Sequence, residues 1–274
     1  RWWCVFREGQ GHVSPDGALR VISSTDGEAW ESAALIRSHI EDLRDPKLTV
    51  TPGGRLMLSA AGALHQPIRH SHQSYVWFSG DGRRWSEAHP VGDPGYWLWR
   101  LTWHKEACYG VGYEWGKGRN TRLYRSLDGR HFETLVESLY DLDGPSEAAL
   151  VFEPDGTARC LLRRDPAHGL LGTARPPYEH WQWRDVGRGI GGPGLLRLPD
   201  GRLIAAVRLY GGVTRTSLGW LDRDTGRLRE CLRLPSGGDT SYAGLVWHDG
   251  LLWVSYYSSH EEKTAIYLAK VKLL

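Results

Sequence analysis

The heptapeptide Ser79-Gly80-Asp81-Gly82-Arg83-Arg84-Trp85 decides the fold, because its pattern, Ser-x-Asp-Gly-x-x-aromatic, occurs three times. The other copies are Ser24-Thr25-Asp26-Gly27-Glu28-Ala29-Trp30 and Ser126-Leu127-Asp128-Gly129-Arg130-His131-Phe132. Asp-Gly favours a tight turn between two strands, and the Ser and Asp side chains can accept hydrogen bonds from backbone amides of the turn. Each copy therefore predicts a hairpin turn with an aromatic side chain packed over it.

A second hairpin pattern alternates with the first along the chain. Two apolar runs flank a Gly-containing turn at four places, around Gly54, Gly156, Gly201 and Gly250. A period of about 45–55 residues then contains two hairpins, which is the four-stranded unit of a β-propeller blade. Counting these units predicts six blades, at residues 1–40, 41–92, 93–140, 141–190, 191–236 and 237–274. The predicted fold class is all-β, a six-bladed β-propeller of four-stranded antiparallel blades.

The composition agrees with such a repeat. The chain contains 34 Gly, for turns, and 14 Trp, for packing between blades. Its 34 basic and 32 acidic residues give no reason to expect nucleic acid as a partner. No apolar run is long enough for a membrane span, and neither CxxC nor HExxH occurs. We therefore expect no membrane, metal or cofactor, and buried free thiols at Cys4, Cys108, Cys160 and Cys231.

The chain is predicted to form a single domain over residues 1–274. It starts with Arg1 in what reads as a strand already under way, without an initiator Met or a signal peptide. We interpret the N-terminus as truncated from a longer gene product. A cytoplasmic location and export with removal of a leader are both compatible with this sequence, and the oligomeric state is open.

The repeated turn resembles the Asp-box of the sialidase (neuraminidase) superfamily, a superfamily of six-bladed propellers, although all three copies lack one glycine of the family's Asp-Gly-Gly-x-Thr-Trp form. Ser146-Glu147-Ala148-Ala149-Leu150 with Arg163 is similar to a family segment in which a Glu precedes a substrate-binding Arg. Ser241-Tyr242-Ala243-Gly244-Leu245 is similar to the segment with the nucleophilic Tyr. Phe6-Arg7-Glu8 resembles the strand end that carries the acid/base carboxylate.

One family motif is not visible, the Arg-Ile-Pro that supplies the first arginine of the family's substrate-binding triad. Three explanations stay open: the motif lies upstream of Arg1, Arg44-Asp45-Pro46 replaces it, or the protein does not bind sialic acid.

Counting from each hairpin glycine predicts which residues meet, because equivalent positions of different blades converge at one end of a propeller channel. Seven residues after the glycine stand Arg163, Arg208 and Tyr257, and Arg7 takes this position in the first blade. Nine residues before it stand Asp45, Glu147, Gly192 and Ser241, with Tyr242 next. Arginines recognise carboxylates by bidentate hydrogen bonds, so this register predicts an anion-binding site with acid/base groups.

The resemblance implies a role for each of these residues. Glu147 would deprotonate Tyr242, the nucleophile, and Glu8 or Asp45 would be the acid/base. Arg7, Arg163 and either Arg208 or Arg215 would hold the sugar carboxylate. Asp239 is either a ligand contact or part of a turn. Further substrate contacts are expected at four positions: Arg44, Tyr257, Trp99 and His12.

The leading hypothesis is therefore an exo-acting glycoside hydrolase of sialidase-like fold that releases a terminal acidic sugar, sialic acid or a relative, from glycans. A uronic-acid-directed polysaccharide lyase is a second hypothesis. A non-catalytic glycan-binding propeller is a third, from another class of protein. In each case the expected partner is a carbohydrate.

Overall fold

The structure, a computed structural model, describes residues 1–66, 71–116 and 120–273. In these residues the regular structure consists of strands, without helices. No helix in this part of the chain could therefore span a membrane. The chain divides into two compact units, and the boundary between them follows Glu137. The prediction of a single domain stays a prediction.

The first unit contains three antiparallel sheets, which form in chain order. The first has strands β1 (Trp2–Glu8), β2 (Ala18–Ser24) and β3 (Glu31–Ile36). The second has β4 (Glu41–Val50), β5 (Leu56–Leu64), β6 (His72–Ser79) and β7 (His89–Val91). The third has β8 (Tyr96–His104), β9 (Ala107–Glu114), β10 (Thr121–Ser126) and β11 (Glu133–Tyr140), whose last residues are counted with the second unit.

The second unit also contains three sheets. The first has β12 (Pro145–Phe152), β13 (Ala158–Arg164), β14 (Leu170–Ala174) and β15 (Gln182–Asp185). The next has β16 (Ile190–Arg197), β17 (Leu203–Leu209), β18 (Arg215–Leu221) and β19 (Leu228–Arg233). The last has β20 (Thr240–His248), β21 (Leu251–Ser258) and β22 (Ala265–Val271).

Five of the six sheets fall inside the predicted blade boundaries, and the fifth begins one residue before its boundary, at Ile190. The predicted fold class, an all-β six-bladed β-propeller, is confirmed. Four of the sheets have four strands, and the first and last have three. The Ser-x-Asp-Gly turns join β2 to β3, β6 to β7 and β10 to β11. In the first sheet, β1 to β3 therefore correspond to the second to fourth strands of the four-stranded sheets.

The three Ser-x-Asp-Gly turns have the same geometry. In the central copy Gly82 N donates to Ser79 Oγ (2.8 Å), and Asp81 Oδ1 accepts from Arg83 N (2.9 Å) and Arg84 N (2.8 Å). Gly82 has a φ of 68°, a left-handed conformation that glycine adopts without strain. The copies around Asp26 and Asp128 repeat these bonds. The turns are thus closed by their own side chains, as the sequence predicts.

The first strand of each four-stranded or final sheet is interrupted by a bulge, where two residues oppose one residue of the second strand. The bulged pairs are Asp45-Pro46, Trp99-Arg100, Ser146-Glu147, Gly192-Pro193 and Tyr242-Ala243. Bulges redirect side chains out of the regular pleat and are common beside active sites. Asp45, Glu147 and Tyr242, three of the predicted catalytic residues, all lie on them.

Each unit has its own apolar core, and the cysteines are unpaired. Cys108 packs in a first-unit cluster around Met57 and Tyr124, and Cys160 is fully buried in the second unit. All four cysteines are free thiols, as expected, but Cys4 is only partly buried and Cys231 is exposed, so the expectation of burial was wrong for these two. Cys4 lies on β1, an edge strand whose residues are all partly buried. Cys231 lies on the edge strand β19 at a register shift, between the paired residues Glu230 and Leu232.

Candidate functional site

A tyrosine–carboxylate pair lies in the second unit, between the bulges of β20 and β12. Tyr242 Oη donates a hydrogen bond of 2.9 Å to Glu147 Oε1. Glu147 is only 4% exposed, and Tyr242 is partly buried, so the carboxylate is largely shielded from water. A phenol bonded to a carboxylate in such a position can pass its proton to that carboxylate when it acts as a nucleophile.

Two further donors fix the position of the Glu147 carboxylate. Arg163 Nη1, on β13, donates to Oε1 over 2.9 Å, and Gly192 N, on β16, donates to Oε2 over 2.6 Å. Both oxygens therefore have partners, and the carboxylate is held toward Tyr242. Short charge-assisted bonds of this kind are among the stronger hydrogen bonds in proteins.

The ring of Tyr242 fits its position because residue 192 is a glycine. Gly192 has a φ of 56°, and a Cβ there would lie 2.5 Å from Ser241 Oγ and 2.6 Å from Tyr242 Cδ1. Tyr242 itself has a φ of 46°, which is uncommon for a residue with a side chain. The bulges of β16 and β20 are thus packed directly against each other.

A second hydrogen-bonded group adjoins the tyrosine. Arg208 Nη2 donates to Asp239 Oδ1 (3.0 Å) and to Tyr257 Oη (2.8 Å), and Tyr257 Oη donates to Asp239 Oδ1 (2.7 Å). Arg208 Nε donates to the carbonyl oxygen of Thr240. The ring centroids of Tyr242 and Tyr257 are 5.8 Å apart, and Arg208 Cζ lies 5.5 Å from the Tyr242 centroid.

The pKa values of both arginines are raised. Burial alone would lower the pKa of Arg163, but the charge of Glu147 outweighs it, with help from Tyr210, Tyr242 and Asp165. Burial acts in the same direction on the pKa of Arg208, where Tyr257, Tyr242, Tyr210 and Asp239 outweigh it. Tyr210 thus contributes to the raised pKa of both arginines. Sequence reasoning missed it, although it directly follows the β17 strand end that carries Arg208.

Arg215 is not part of this group. Its Nε and Nη2 donate to the two oxygens of Glu230 (2.8 and 2.7 Å), and Nη1 donates to the carbonyl oxygens of Gly211 and Val213. Ser217 Oγ also donates to Glu230. Between the two arginines considered for one role, only Arg208 lies beside Tyr242.

Several predicted residues lie in the first unit, around Asp42. Arg7 Nε and Nη2 donate to Asp42 Oδ1 (3.0 and 2.8 Å), and Arg44 Nε is 4.0 Å from Asp42 Oδ2. Arg44 Nη2 is 3.2 Å from His12 Nε2. Asp42, which is 3% exposed, was not predicted, because nothing in its immediate sequence marks it as more than a strand residue. The structure thus brings Arg7, Arg44 and His12 together.

The remaining predicted residues have other surroundings. Glu8 pairs with Arg20, whose Nη2 and Nε donate to its two oxygens over 2.8 and 3.1 Å. Trp99 is 1% exposed and lies under Lys47 Nζ, 3.5 Å from its ring centroid. Asp45 occupies the β4 bulge with a φ of 52°, and its carbonyl oxygen accepts from Lys47 Nζ.

The register deduced by counting differs from the observed one by one residue in two sheets. The bulge begins at Asp45 and Gly192, as counted, but at Ser146 and Tyr242 in the other two sheets. In those sheets five paired residues, rather than four, separate the bulge from the hairpin. On the second strands, Arg163 stands opposite a bulge, whereas Arg208 and Tyr257 are paired one residue beyond it.

The fold and this site together define a six-bladed β-propeller in which a partly buried tyrosine is hydrogen-bonded to a buried glutamate. No family model and no curated protein matches the chain. Among solved structures, a protein of unknown function from Dyadobacter fermentans DSM 18053 superimposes with a TM-score of 0.82, at 18% identity, over 99% of this chain and 91% of that one.

Two other similar structures are glycoside hydrolases. The GH93 alpha-L-arabinofuranosidase of Fusarium graminearum, in complex with arabinobiose, gives a TM-score of 0.72 at 14% identity, over 93% of this chain and 85% of that one. The Trypanosoma rangeli sialidase in complex with 2,3-difluorosialic acid gives 0.64 at 11% identity, over 92% of this chain and 49% of that one. At these identities the likeness establishes the fold, which this chain shares with propeller glycoside hydrolases.

Proposed function

We propose that the chain is a glycoside hydrolase in which Tyr242 is the nucleophile and Glu147 its general base. The observation that carries this proposal is the 2.9 Å hydrogen bond from Tyr242 Oη to the buried Glu147 carboxylate. A free tyrosine has a pKa of about 10, so it attacks an anomeric carbon only when a base takes its proton. Glycosidases with a tyrosine nucleophile are a recognised exception to the use of two carboxylates.

The proposed reaction has two steps. Tyr242 Oη bonds to the anomeric carbon as its proton passes to Glu147 Oε1, and the bond to the leaving oxygen breaks as that oxygen receives a proton from an acid. Water then attacks the same carbon and gives a proton to the conjugate base of that acid, while the bond to Tyr242 breaks and Tyr242 Oη recovers its proton from Glu147. Two displacements at one carbon retain the anomeric configuration.

The similar structures support this class of reaction without fixing the sugar. The Trypanosoma rangeli sialidase was captured as a covalent intermediate with 2,3-difluorosialic acid, and the Fusarium graminearum enzyme was solved with arabinobiose. For this chain, the resemblance to sialidases favours an exo-acting enzyme and a terminal acidic sugar. Whether that sugar can be acidic depends on the hydrogen bonds that Arg163 and Arg208 already make within the protein.

The proposal is tested by removing each partner of the pair. Tyr242→Phe and Glu147→Gln are each expected to lower kcat/KM by about 10²–10⁴-fold, the usual contribution of a nucleophile's base. The assay measures release of the chromophore from a panel of aryl glycosides. Tyr267→Phe is the matched control, because Tyr267 Oη donates to Glu261 in the same way (2.7 Å) at an exposed place.

Unchanged turnover in both Tyr242→Phe and Glu147→Gln would contradict the proposal. Tight glycan binding without any released sugar over a long incubation would favour the non-catalytic alternative. An unsaturated product that absorbs in the ultraviolet would favour the lyase.

A further inference from the structure

The hydrogen-bonding capacity of the two arginines beside Tyr242 is largely used within the protein. Acidic sugars are held by guanidinium groups that offer two parallel N–H bonds to the sugar carboxylate. Whether Arg163 and Arg208 can offer such a pair of bonds decides which class of sugar fits.

Arg208 has no bidentate edge left. Both hydrogens of Nη2 are donated, one to Asp239 and one to Tyr257, and the Nε hydrogen goes to the carbonyl oxygen of Thr240. A bidentate bond needs Nη2 together with Nε or Nη1, so either edge would require breaking an existing bond. Only single bonds from Nη1 remain for a ligand.

Arg163 is already shared between two carboxylates. Nη1 donates to Glu147 Oε1 and Nη2 to Asp165 Oδ2, each over 2.9 Å, and Nε is buried without a hydrogen-bond partner in the described part of the chain. A third carboxylate on this guanidinium would lie beside Glu147 and Asp165. Like charges at that separation disfavour one another.

Each of the two arginines already has its charge matched inside the protein. Arg163 pairs with Glu147 and Asp165, and Arg208 pairs with Asp239. The side chains of Asp165 and Asp239 are 65% and 45% exposed, so donors from solvent can reach both carboxylates. Sugar hydroxyls are such donors, whereas a sugar carboxylate is not.

We infer that the Tyr242 site takes an uncharged glycosyl group, a neutral sugar whose hydroxyls donate to Asp239 and Asp165, rather than an acidic sugar. This inference rests on the proposed function in placing the glycosyl group at Tyr242. It replaces the expectation of an acidic sugar. That expectation required arginines that are not already paired with carboxylates of the protein itself.

The test uses the full chain carrying Tyr242→Phe on an array of neutral, sialylated and uronic-acid-containing glycans. We expect binding to neutral glycans, with signals for acidic glycans at least tenfold weaker. Equal or stronger binding of acidic glycans overturns the inference, and so does an array with no neutral binder.

A charge variant tests the physical cause. Asp239→Asn removes the negative charge that pairs with Arg208. We expect this variant to raise the ratio of acidic-glycan to neutral-glycan binding by up to about fivefold, the effect of a half-exposed ion pair. Asp200→Asn is the control, because Asp200 pairs with Arg202 and is similarly exposed, at 48%. The same ratio in Asp239→Asn and in the unmodified Tyr242→Phe background would overturn the inference.

The outcomes separate this inference from the proposed hydrolase. Release of an acidic sugar by the wild-type chain would leave the hydrolase standing and overturn the neutral-sugar inference. Neutral glycans that bind but are never cleaved would leave the inference standing and contradict the hydrolase.

Discussion

Gly192 is the residue on which the geometry of the Tyr242–Glu147 pair depends most directly. Its amide binds Glu147, and its missing side chain leaves space for the Tyr242 ring. We expect Gly192→Ala to lower kcat by about 10²-fold, because displacement of a reacting group by about 1 Å has an effect of that size. Turnover of the best aryl glycoside is the measurement.

Gly54→Ala is the matched control for this substitution. Gly54 also has a left-handed φ, of 78°, but a Cβ there would contact nothing within 4 Å. Both variants therefore acquire backbone strain, and only Gly192→Ala disturbs the tyrosine. Equal activity of the two variants would show that the Gly192 contact has no role in turnover.

The two carboxylates expected to act as acid/base differ in their places in the fold. Both oxygens of Glu8 are bonded to Arg20, and Asp45 lies on a strand bulge, as Glu147 and Tyr242 do. We expect Asp45→Asn to lower kcat/KM by about 10²–10⁴-fold and Glu8→Gln to leave it within about twofold. Measurement with aryl glycosides of poor and good leaving groups sharpens the test, because only a poor leaving group needs the acid. A loss confined to Glu8→Gln would reverse this assignment.

For single residues, the sequence predicts which side chains lie in the site better than it predicts their hydrogen-bond and ion-pair partners. Tyr242, Glu147, Arg163, Arg208 and Tyr257 could be brought together by counting from turn glycines, because strands repeat with a fixed spacing. Asp165 and Tyr210 could not, since both lie just beyond strand ends, where no period applies. The internal ion pairs that bear on the sugar's charge were therefore out of reach of the sequence.

Among the structural elements, the Ser-x-Asp-Gly turns have a measurable pH signature. Hydrogen bonds from the Glu28 amide, Ser24 and the Ala29 amide lower the pKa of Asp26 to about 2. A carboxyl with a lowered folded pKa stabilises the fold above its ordinary pKa of about 3.9 and loses that contribution as the pH falls toward 2. The difference in stability between wild type and Asp26→Asn should therefore shrink between pH 4 and pH 2.

Urea midpoints at pH 5, 4, 3 and 2 measure this difference. Asp224→Asn serves as the control, because it removes one carboxylate from another exposed turn of the chain. A gap between wild type and Asp26→Asn that stays constant over the whole range would contradict the assignment of the lowered pKa to the folded turn.

Turn chemistry also explains why the elements were predictable while the bulges were not. Asp-Gly turns are local, so their sequences located all six sheets. The position of a bulge depends on how many residue pairs separate it from its hairpin, which is four or five here, and on the length of the turn. That turn has two residues before β21 and five before β5, β13 and β17. No residue type in the sequence marks these two numbers, and the predicted start of the bulge was one residue off, in opposite directions, in two sheets.

For the molecule as a whole, labelling of the free thiols can be used to follow the unfolding of each unit. Burial raises the pKa of Cys108, Cys160 and Cys231, but only the side chain of Cys231 is exposed to a reagent in solution. We expect a thiol reagent to modify Cys231 rapidly in the native chain and to leave Cys108 and Cys160 unmodified until their unit unfolds. Mass spectrometry of labelled peptides along a urea gradient measures both. Native-state labelling of Cys108 or Cys160 as fast as Cys231 would contradict the buried positions.

The charges of the chain nearly cancel overall, and they also pair locally at the predicted substrate-binding arginines. The chain has a formal net charge of +2, and each arginine predicted to bind a substrate carboxylate has an aspartate or glutamate near it, at 2.7–4.0 Å. Composition gives only the sum of the charges, and pairs such as Arg163 with Glu147 join residues far apart in the chain. Only the folded positions show that the charges cancel where they meet.

The bulges have a consequence for the adaptability of the scaffold. Each one places two side chains outside the regular ladder while the hydrogen bonds on either side continue, and the pairs already include an acid, a tryptophan, a glycine and a tyrosine. A combinatorial library confined to these ten positions would therefore vary the chemistry and leave the strand pairing intact. The same backbone could in this way be evolved in the laboratory toward other ligands.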